Sequence, residues 1–196
     1  AGYNHSWQGD YSELKILNKA PDNIKIFWTG NSVVSPVSQN AVNNFINGST
    51  TEGNPGRHPY FWLNWPVNDY HQQRLLMGPG SVLKKGTKNL AGLVTNPMQQ
   101  GQASKVAIFA VADYSWNTDD FDADKSWSDS FEYVEPNAAK DLRNIAEHLQ
   151  DVSPSGHGLV LPESQNIEAL LNEYKDALKS NNKEALNIAC LLYTSP

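Results

Sequence analysis

The residues best suited to chemistry lie in one segment, Tyr60-Phe61-Trp62-Leu63-Asn64-Trp65-Pro66-Val67-Asn68-Asp69-Tyr70. It interleaves aromatic rings with amides and a carboxylate. Aromatic faces pack on the apolar C–H face of a pyranose, while Asn and Asp fix its hydroxyls by hydrogen bonds. Together they supply what a sugar-binding wall needs. Two more segments repeat the design: Ile24-Lys25-Ile26-Phe27-Trp28-Thr29-Gly30 and Leu90-Ala91-Gly92-Leu93-Val94-Thr95-Asn96-Pro97. In each, a strand-like run stops at small polar residues. Three strands whose ends all present polar groups point to one shared site.

The elements that would position these groups follow from the pattern along the chain. Residues 24–28, 60–64 and 90–94 read as strands, the second as a buried one. Residues 38–46 show helical spacing, with Ala41, Val42, Phe45 and Ile46 apolar and Ser38 placed to cap the first turn. The Gly/Thr/Asn/Pro-rich stretch 48–59 reads as a loop. A short helix is expected near 72–77, broken by Gly78-Pro79-Gly80. From Ser104, an apolar run through Val106, Ile108, Phe109, Val111, Ala112 and Trp116 is too long for an ordinary strand and reads as a buried helix. Short helical spacing covers 126–133. Residues 136–150 read as an amphipathic helix with Pro136 in its first turn. A loop over 153–158 is followed by a helix over 162–179, with Ile167, Leu170, Leu171, Tyr174 and Leu178 on one face. Alternating strands and helices imply an α/β fold with parallel strands and crossover connections. Three such units do not close a sheet. They match the last part of a (β/α)8 TIM barrel, whose site lies at the carboxyl ends of its strands.

Composition narrows the function classes. The 196 residues carry a net charge of −6 and 39% hydrophobic residues. An acidic chain is a poor match for nucleic acid or an anionic membrane, which both need a basic face. No apolar stretch approaches the length of a membrane span. The chain has 6 Trp and 8 Tyr, a composition that leans toward flat ligands such as sugars. The single cysteine, Cys190, excludes an internal disulfide and a multi-cysteine metal site. Residues 1–10 lack the charge and apolar core of a signal peptide. The chain opens without Met on dense, functional-looking sequence, so the natural protein is expected to start upstream. The tail Cys190-Leu191-Leu192-Tyr193-Thr194-Ser195-Pro196 resembles translated adapter sequence and is set aside as non-native.

Other constellations carry less. Asp119-Asp120 is a consecutive carboxylate pair, but it follows helix-like sequence rather than a strand end and reads as a solvated turn before the next helix. Asp120, Asp122 and Asp124 have calcium-loop spacing, yet Lys125 stands where the loop needs Gly and no Glu closes it. The histidines His5, His58, His71, His148 and His157 are dispersed and form no metal-like pair. No metal or cofactor is expected. No Gly-x-Ser-x-Gly occurs. Asp69 has two readings, a ligand-binding carboxylate or the cap of the segment after it; its aromatic neighbourhood favours the first.

Six motifs in order carry a family resemblance. They are Tyr3-Asn4-x-Ser6-Trp7, Trp28-Thr29-Gly30, Trp62-x-Asn64-x-Pro66-Val67-x-Asp69-Tyr70, Leu75-Leu76-Met77-Gly78-Pro79, Thr95-Asn96-Pro97-Met98 and Ala112-x-Tyr114-Ser115-Trp116-Asn117. Each alone is weak, but the ordered set is specific. Over residues 1–180 the chain resembles glycoside hydrolase family 84, the β-N-acetylglucosaminidases that include O-GlcNAcases and enzymes labelled hyaluronidase. The resemblance implies a (β/α)8 catalytic barrel followed by a helical domain. On this sequence the barrel part would be 1–135, the helical segment 136–189 and the non-native tail 190–196.

The resemblance also implies a reaction and its residues. Family members remove terminal β-linked N-acetylglucosamine with retention, using the substrate's own acetamido oxygen as nucleophile rather than an enzyme carboxylate. Two consecutive aspartates do the proton work and orient the acetamido group. In the family they lie upstream of the Tyr-Asn-x-Ser-Trp motif, so this stretch is expected to lack them. Tyr3 would bond the reacting acetamido group, and Asn64 would support the catalytic pair. Thr29 and Trp62 would wall the acetyl methyl pocket. Asp69 and Asn96 would hold remote hydroxyls, with Trp7 and His157 at the rim. The expected partners are glycans or glycoproteins bearing N-acetylglucosamine, and bacterial relatives suggest a secreted or cell-surface location. Three departures touch fine specificity: Gln99-Gln100 where an acidic residue is usual, His71-Gln72-Gln73-Arg74 where Arg-Asp-His is common, and a longer loop over 48–57. A barrel that binds carbohydrate without catalysis is the second reading.

Overall fold

A computed structural model describes residues 9–150, 164, 168–180, 183 and 187. The element order is α1 (Ser12–Leu17), β1 (Phe27–Trp28), α2 (Gln39–Ser49), β2 (Tyr60–Pro66), β3 (Gly92–Asn96), α3 (Gly101–Trp116), α4 (Ala123–Val134), α5 (Ala139–Ala146) and α6 (Glu168–Ser180). Residues 9–150 fall in one compact unit and α6 in another. The fold is mixed α/β, with a small parallel sheet in the order β1-β2-β3. Phe27 pairs with Tyr60. Tyr60 in turn pairs with Gly92, and Trp62 with Val94.

Side-chain alternation along β2 fixes its register. Phe61, Leu63 and Trp65 are buried in a core with Trp28, Phe45 and Tyr114. Each such large side chain contributes roughly 1.5–3 kcal/mol by leaving water. A one-residue slip would expose all three and bury the Asn64 amide instead. Tyr60, Trp62 and Asn64 therefore occupy the opposite face. That face is open among the described residues, so the expectation of a wholly buried strand is corrected: Trp62 is 42% exposed.

Helix α2 forms where its spacing predicts. The Ser38 hydroxyl accepts from Ala41 N at 3.3 Å, and Ala41, Val42 and Phe45 face the core. Helix α3 also forms, but only one side is buried. Val106, Ala107, Ala110 and Tyr114 face inward, while Trp116 is 91% exposed. A second core joins α3, α4 and α5 through Met77, Val106, Trp127, Phe131, Ala139 and Ala146. The Trp127 indole donates to Met77 O at 2.6 Å. Asp122 caps α4 by accepting from Asp124 N and Lys125 N. Asp119 pairs with Lys88, and Asp120 accepts from Asn117 Nδ2 at 2.6 Å, so the acidic stretch is a turn, as expected.

Four expectations fail for identifiable reasons. Strand β1 is shorter than 24–28: Ile24 N closes a turn on Pro21 O at 2.9 Å, and Ile24 O accepts from Arg57 Nη1 at 3.2 Å instead of a strand neighbour. Strand β3 is shifted, with Ala91 N bonded to Pro59 O at 2.9 Å before the ladder begins and the ladder reaching Asn96. No helix forms over 72–77; a 3-10 turn at Asp69–His71 comes first. Helix α5 starts after Pro136 and ends at Ala146, where the bonding tightens to His148 N on Ile145 O and Leu149 N on Ala146 O, both at 3.0 Å. Helix α6 agrees in type with its prediction. It buries Ala177 but leaves Leu171 and Leu178 exposed; Ile167 and the loop over 153–158 lie outside the described residues.

At the amino ends of the strands, Arg57 makes the densest knot. Its guanidinium donates to Asn18 Oδ1, Asn18 O, Pro21 O, Ile24 O and Ala20 O. Asn18 is itself buried and donates to Ser49 O at 2.9 Å and Pro55 O at 3.1 Å. A hollow of about 250 Å³ lies here, lined in part by Arg57, His58 and Tyr60. It is at the opposite end of the sheet from Asn64 and Asn96. None of the described helices is long and apolar enough to cross a membrane.

Candidate functional site

The carboxyl end of β1 turns at Gly30, where φ is +98°. A Cβ there would lie 2.3 Å from Ser35 Cβ and 2.9 Å from Phe61 Cζ. Only glycine fits both the left-handed backbone and the close approach. The loop after it folds back on itself. Thr29 Oγ1 donates to Ser32 O at 2.9 Å, Asn31 N to Ser35 Oγ at 3.0 Å, and Asn44 Nδ2 of α2 to Asn31 Oδ1 at 3.1 Å. This loop presents Val33 O to β2, where Asn64 Nδ2 donates to it at 2.7 Å.

Asn64 is the hub of the strand ends. Its Oδ1 accepts from Trp62 Nε1 at 2.8 Å and from Asn96 Nδ2 at 3.2 Å. An indole N–H can only donate, so Trp62 fixes which way the Asn64 amide points. Three strands are thereby joined by one side chain: the β1 loop through Val33, β2 through Trp62, β3 through Asn96. The Trp62 ring meets Phe27 edge-on with centroids 6.3 Å apart, and Phe27 meets Tyr60 at 5.4 Å. These rings form an aromatic row on the open face beside the amides.

Asp69 stands apart from this cluster. It is exposed and begins the 3-10 turn, with Asn68 in the capping position. The reading of Asp69 as a helix cap is thus overturned, since the helix it would cap does not form. Its carboxylate makes no hydrogen bond among the described residues. The loop that carries it is anchored to β3, where Val67 N donates to Asn96 O at 2.9 Å.

The structure therefore brings Trp62, Asn64 and Asn96 into one bonded cluster and places Thr29 at the head of the loop that reaches it. Asp69 is on a neighbouring loop. Tyr3, Trp7 and His157 lie outside the described residues. Sequence reasoning gave no role to Phe27 or Asn68. For Phe27 the signal was there, since it alternates with the buried Trp28 and so must share the face of Tyr60. The cluster is made of neutral amides and an indole, suited to hydroxyl and acetamido groups rather than to phosphates or metals. Among the described residues, no group of three or more His, Cys, Asp or Glu is placed to hold a metal ion.

Fold and cluster define an α/β protein with amide and aromatic side chains gathered at the carboxyl ends of parallel strands. Residues 1–147 match the family described as beta-N-acetylglucosaminidase, and the chain belongs to that family, glycoside hydrolase family 84. It is 37% identical over 98 residues to Protein O-GlcNAcase of Rattus norvegicus and to that of Mus musculus, covering 45% of this chain and 9% of theirs. Among solved structures, CpGH84D superposes with a TM-score of 0.78 and 42% identity, over 95% of this chain and 31% of that one. A mutant of Thermobaculum terrenum O-GlcNAc hydrolase shares the fold, with a TM-score of 0.63 and 20% identity over 90% of this chain and 36% of its own. The chain thus spans about a tenth of the curated relatives and a third of the solved ones.

Proposed function

We propose that this chain is part of a retaining β-N-acetylglucosaminidase and carries its sugar pocket. The observation that carries the reading is the Asn64 hub on an open sheet face. Parallel sheets are ordinarily covered on both faces. The face of β1–β3 left open among the described residues, with its aromatic row, fits the inward side of a (β/α)8 barrel. On this reading residues 1–135 are the last part of the barrel, and 136–189 complete it and begin a helical domain.

The chemistry follows from the resemblance. The substrate's acetamido oxygen attacks its own anomeric carbon as the glycosidic oxygen leaves with a proton from an aspartic acid. The resulting oxazoline, its ring N–H proton held by the second aspartate and returned on opening, is opened by water, which gives a proton back to the first carboxylate. The paired aspartates stand upstream of Tyr3. This chain supplies position rather than proton transfer: Tyr3 on the acetamido group, Thr29 and Trp62 around its methyl, Asn64 behind the acid pair, Asp69 and Asn96 on remote hydroxyls, Trp7 and His157 at the rim. Holding the acetamido oxygen in line with the scissile bond is where such positioning lowers the barrier. Substrates are glycans or glycoproteins ending in β-linked N-acetylglucosamine.

The test uses a complete catalytic domain and the 196-residue chain side by side, with an aryl N-acetyl-β-glucosaminide as substrate. Hydrolysis with retention by the first and no turnover by the second is expected. Sugar binding without hydrolysis by the complete domain would favour a binding barrel. Turnover by the 196-residue chain alone would overturn the division of labour.

A further inference from the structure

We infer that Asn68 is a positioning residue that sets where Asp69 stands relative to the end of β3; the inference rests on the sugar-binding reading of Asp69 given above. Asn68 is 4% exposed although Asp69 and Tyr70 beside it are exposed. A buried amide must find partners or cost stability. Asn68 Nδ2 donates to Arg74 O at 2.6 Å and to Gln100 Oε1 at 3.3 Å. A backbone carbonyl can only accept, so the contact with Arg74 dictates that the amide presents its nitrogen.

The two contacts do different things. The first closes the turn: His71 N donates to Asn68 O at 2.9 Å, Arg74 N to His71 O at 3.0 Å, and the Asn68 side chain clasps Arg74 O. Asp69 sits at the head of this closed turn. The second contact ties the turn to Gln100, the residue before α3, alongside the Val67–Asn96 backbone bond. Asp69 and Asn96 thus belong to one frame, although their side chains do not meet. A carboxylate that must reach sugar hydroxyls from an exposed loop needs such a supporting group, because small displacements weaken binding and orientation together.

The test is a double-mutant cycle in the complete catalytic domain, read as kcat/KM on an aryl N-acetylglucosaminide. Asn68→Asp keeps the shape but sets an acceptor against the Arg74 carbonyl, which cannot turn to donate as the Gln100 amide can. It is expected to lower kcat/KM roughly tenfold. Gln100→Ala, on the surface, removes one acceptor and is expected to lower it roughly two- to threefold. Because Asn68 acts through Asp69, Asn68→Asp should add no further loss in an Asp69→Ala background. Unchanged kcat/KM in folded Asn68→Asp, or a full further loss in the double variant, overturns the inference. If Asn68→Asp does not fold, Gln100→Ala decides by the same two criteria. Normal activity in Asp69→Ala would instead overturn the underlying reading of Asp69, and a damaging Asp69→Ala beside a harmless Asn68→Asp would overturn the inference alone.

Discussion

Asn96 Nδ2 donates to Asn64 Oδ1 at 3.2 Å across the ends of two adjacent parallel strands. The same oxygen takes the Trp62 indole at 2.8 Å, so one amide sets both a ring and a second amide. Asn64→Ala would release both, and the Val33 loop as well. All three freed groups can reach water, so the stability cost stays near 1 kcal/mol. Activity should suffer more: in the complete domain kcat/KM is expected to fall roughly a hundredfold, since misplacing positioning groups carries that scale of loss. Steady-state kinetics beside a urea titration separates the two effects.

Asp69 gives the opposite balance of stability and activity. It is exposed, with no hydrogen bond among the described residues, so Asp69→Ala should leave stability within about 0.5 kcal/mol. If its carboxylate holds two sugar hydroxyls by charge-assisted bonds, kcat/KM falls roughly a hundredfold or more. Wild-type rates in that variant would remove Asp69 from the site.

Gly30 is held by two demands at once, a φ of +98° and a Cβ position 2.3 Å from Ser35 Cβ. Gly30→Ala should therefore cost about 2 kcal/mol or more. A lower urea midpoint with an unchanged slope is the expected signature.

Much of this architecture was legible in the sequence, and the parts that were not share one cause. Ser38 ahead of Ala41 and Val42 announced α2, because capping is local. The acidic stretch 119–124 announced a turn before α4, though the helix begins at Ala123 rather than Ser126. The apolar runs ending in Asn64 and Asn96 located the strand ends that meet at the hub. What escaped was decided by partners far along the chain. Ile24 gives its carbonyl to Arg57 rather than to a ladder, and the segment after α5 is tied by Met77 N to Leu149 O. A propensity reading has no access to such claims. Likewise nothing local distinguishes buried Asn68 from exposed Asp69 beside it. The exposed side of α3 was missed because a run rich in Ile, Phe, Val and Trp reads as buried whether or not anything covers it.

Arg57 should matter for stability and not for sugar. Its planar fork satisfies five acceptors, which a lysine ammonium with three donors cannot reproduce. Arg57→Lys is expected to cost about 2–3 kcal/mol with KM unchanged in the complete domain. Asp22, 3.4 Å from the guanidinium but fully exposed, contributes little; Asp22→Asn should leave the urea midpoint unchanged.

Tyr114 predicts an alkaline limit. Burial lifts its hydroxyl above the ordinary tyrosine value of 10.0, with a Thr87 hydrogen bond acting the other way. The folded chain thus holds this proton more tightly than the unfolded one. Its contribution is complete below about pH 10 and is lost as pH rises through the folded value. Tyr114→Phe removes that dependence, and at neutral pH it loses the bond to Lys84 O at 3.0 Å, worth about 1 kcal/mol. Unfolding midpoints measured on both sides of pH 10 would show a flattened alkaline slope in the variant.

The Asn64 hub contains only amides, an indole and a peptide carbonyl, none of which gains or loses a proton between mildly acidic and mildly alkaline buffer. Its geometry is therefore indifferent to acidity over the interval in which carboxylic acids ionise. Any pH dependence of the complete domain's rate should then arise from groups outside the hub, Asp69 among them, with the amide cluster as a constant background.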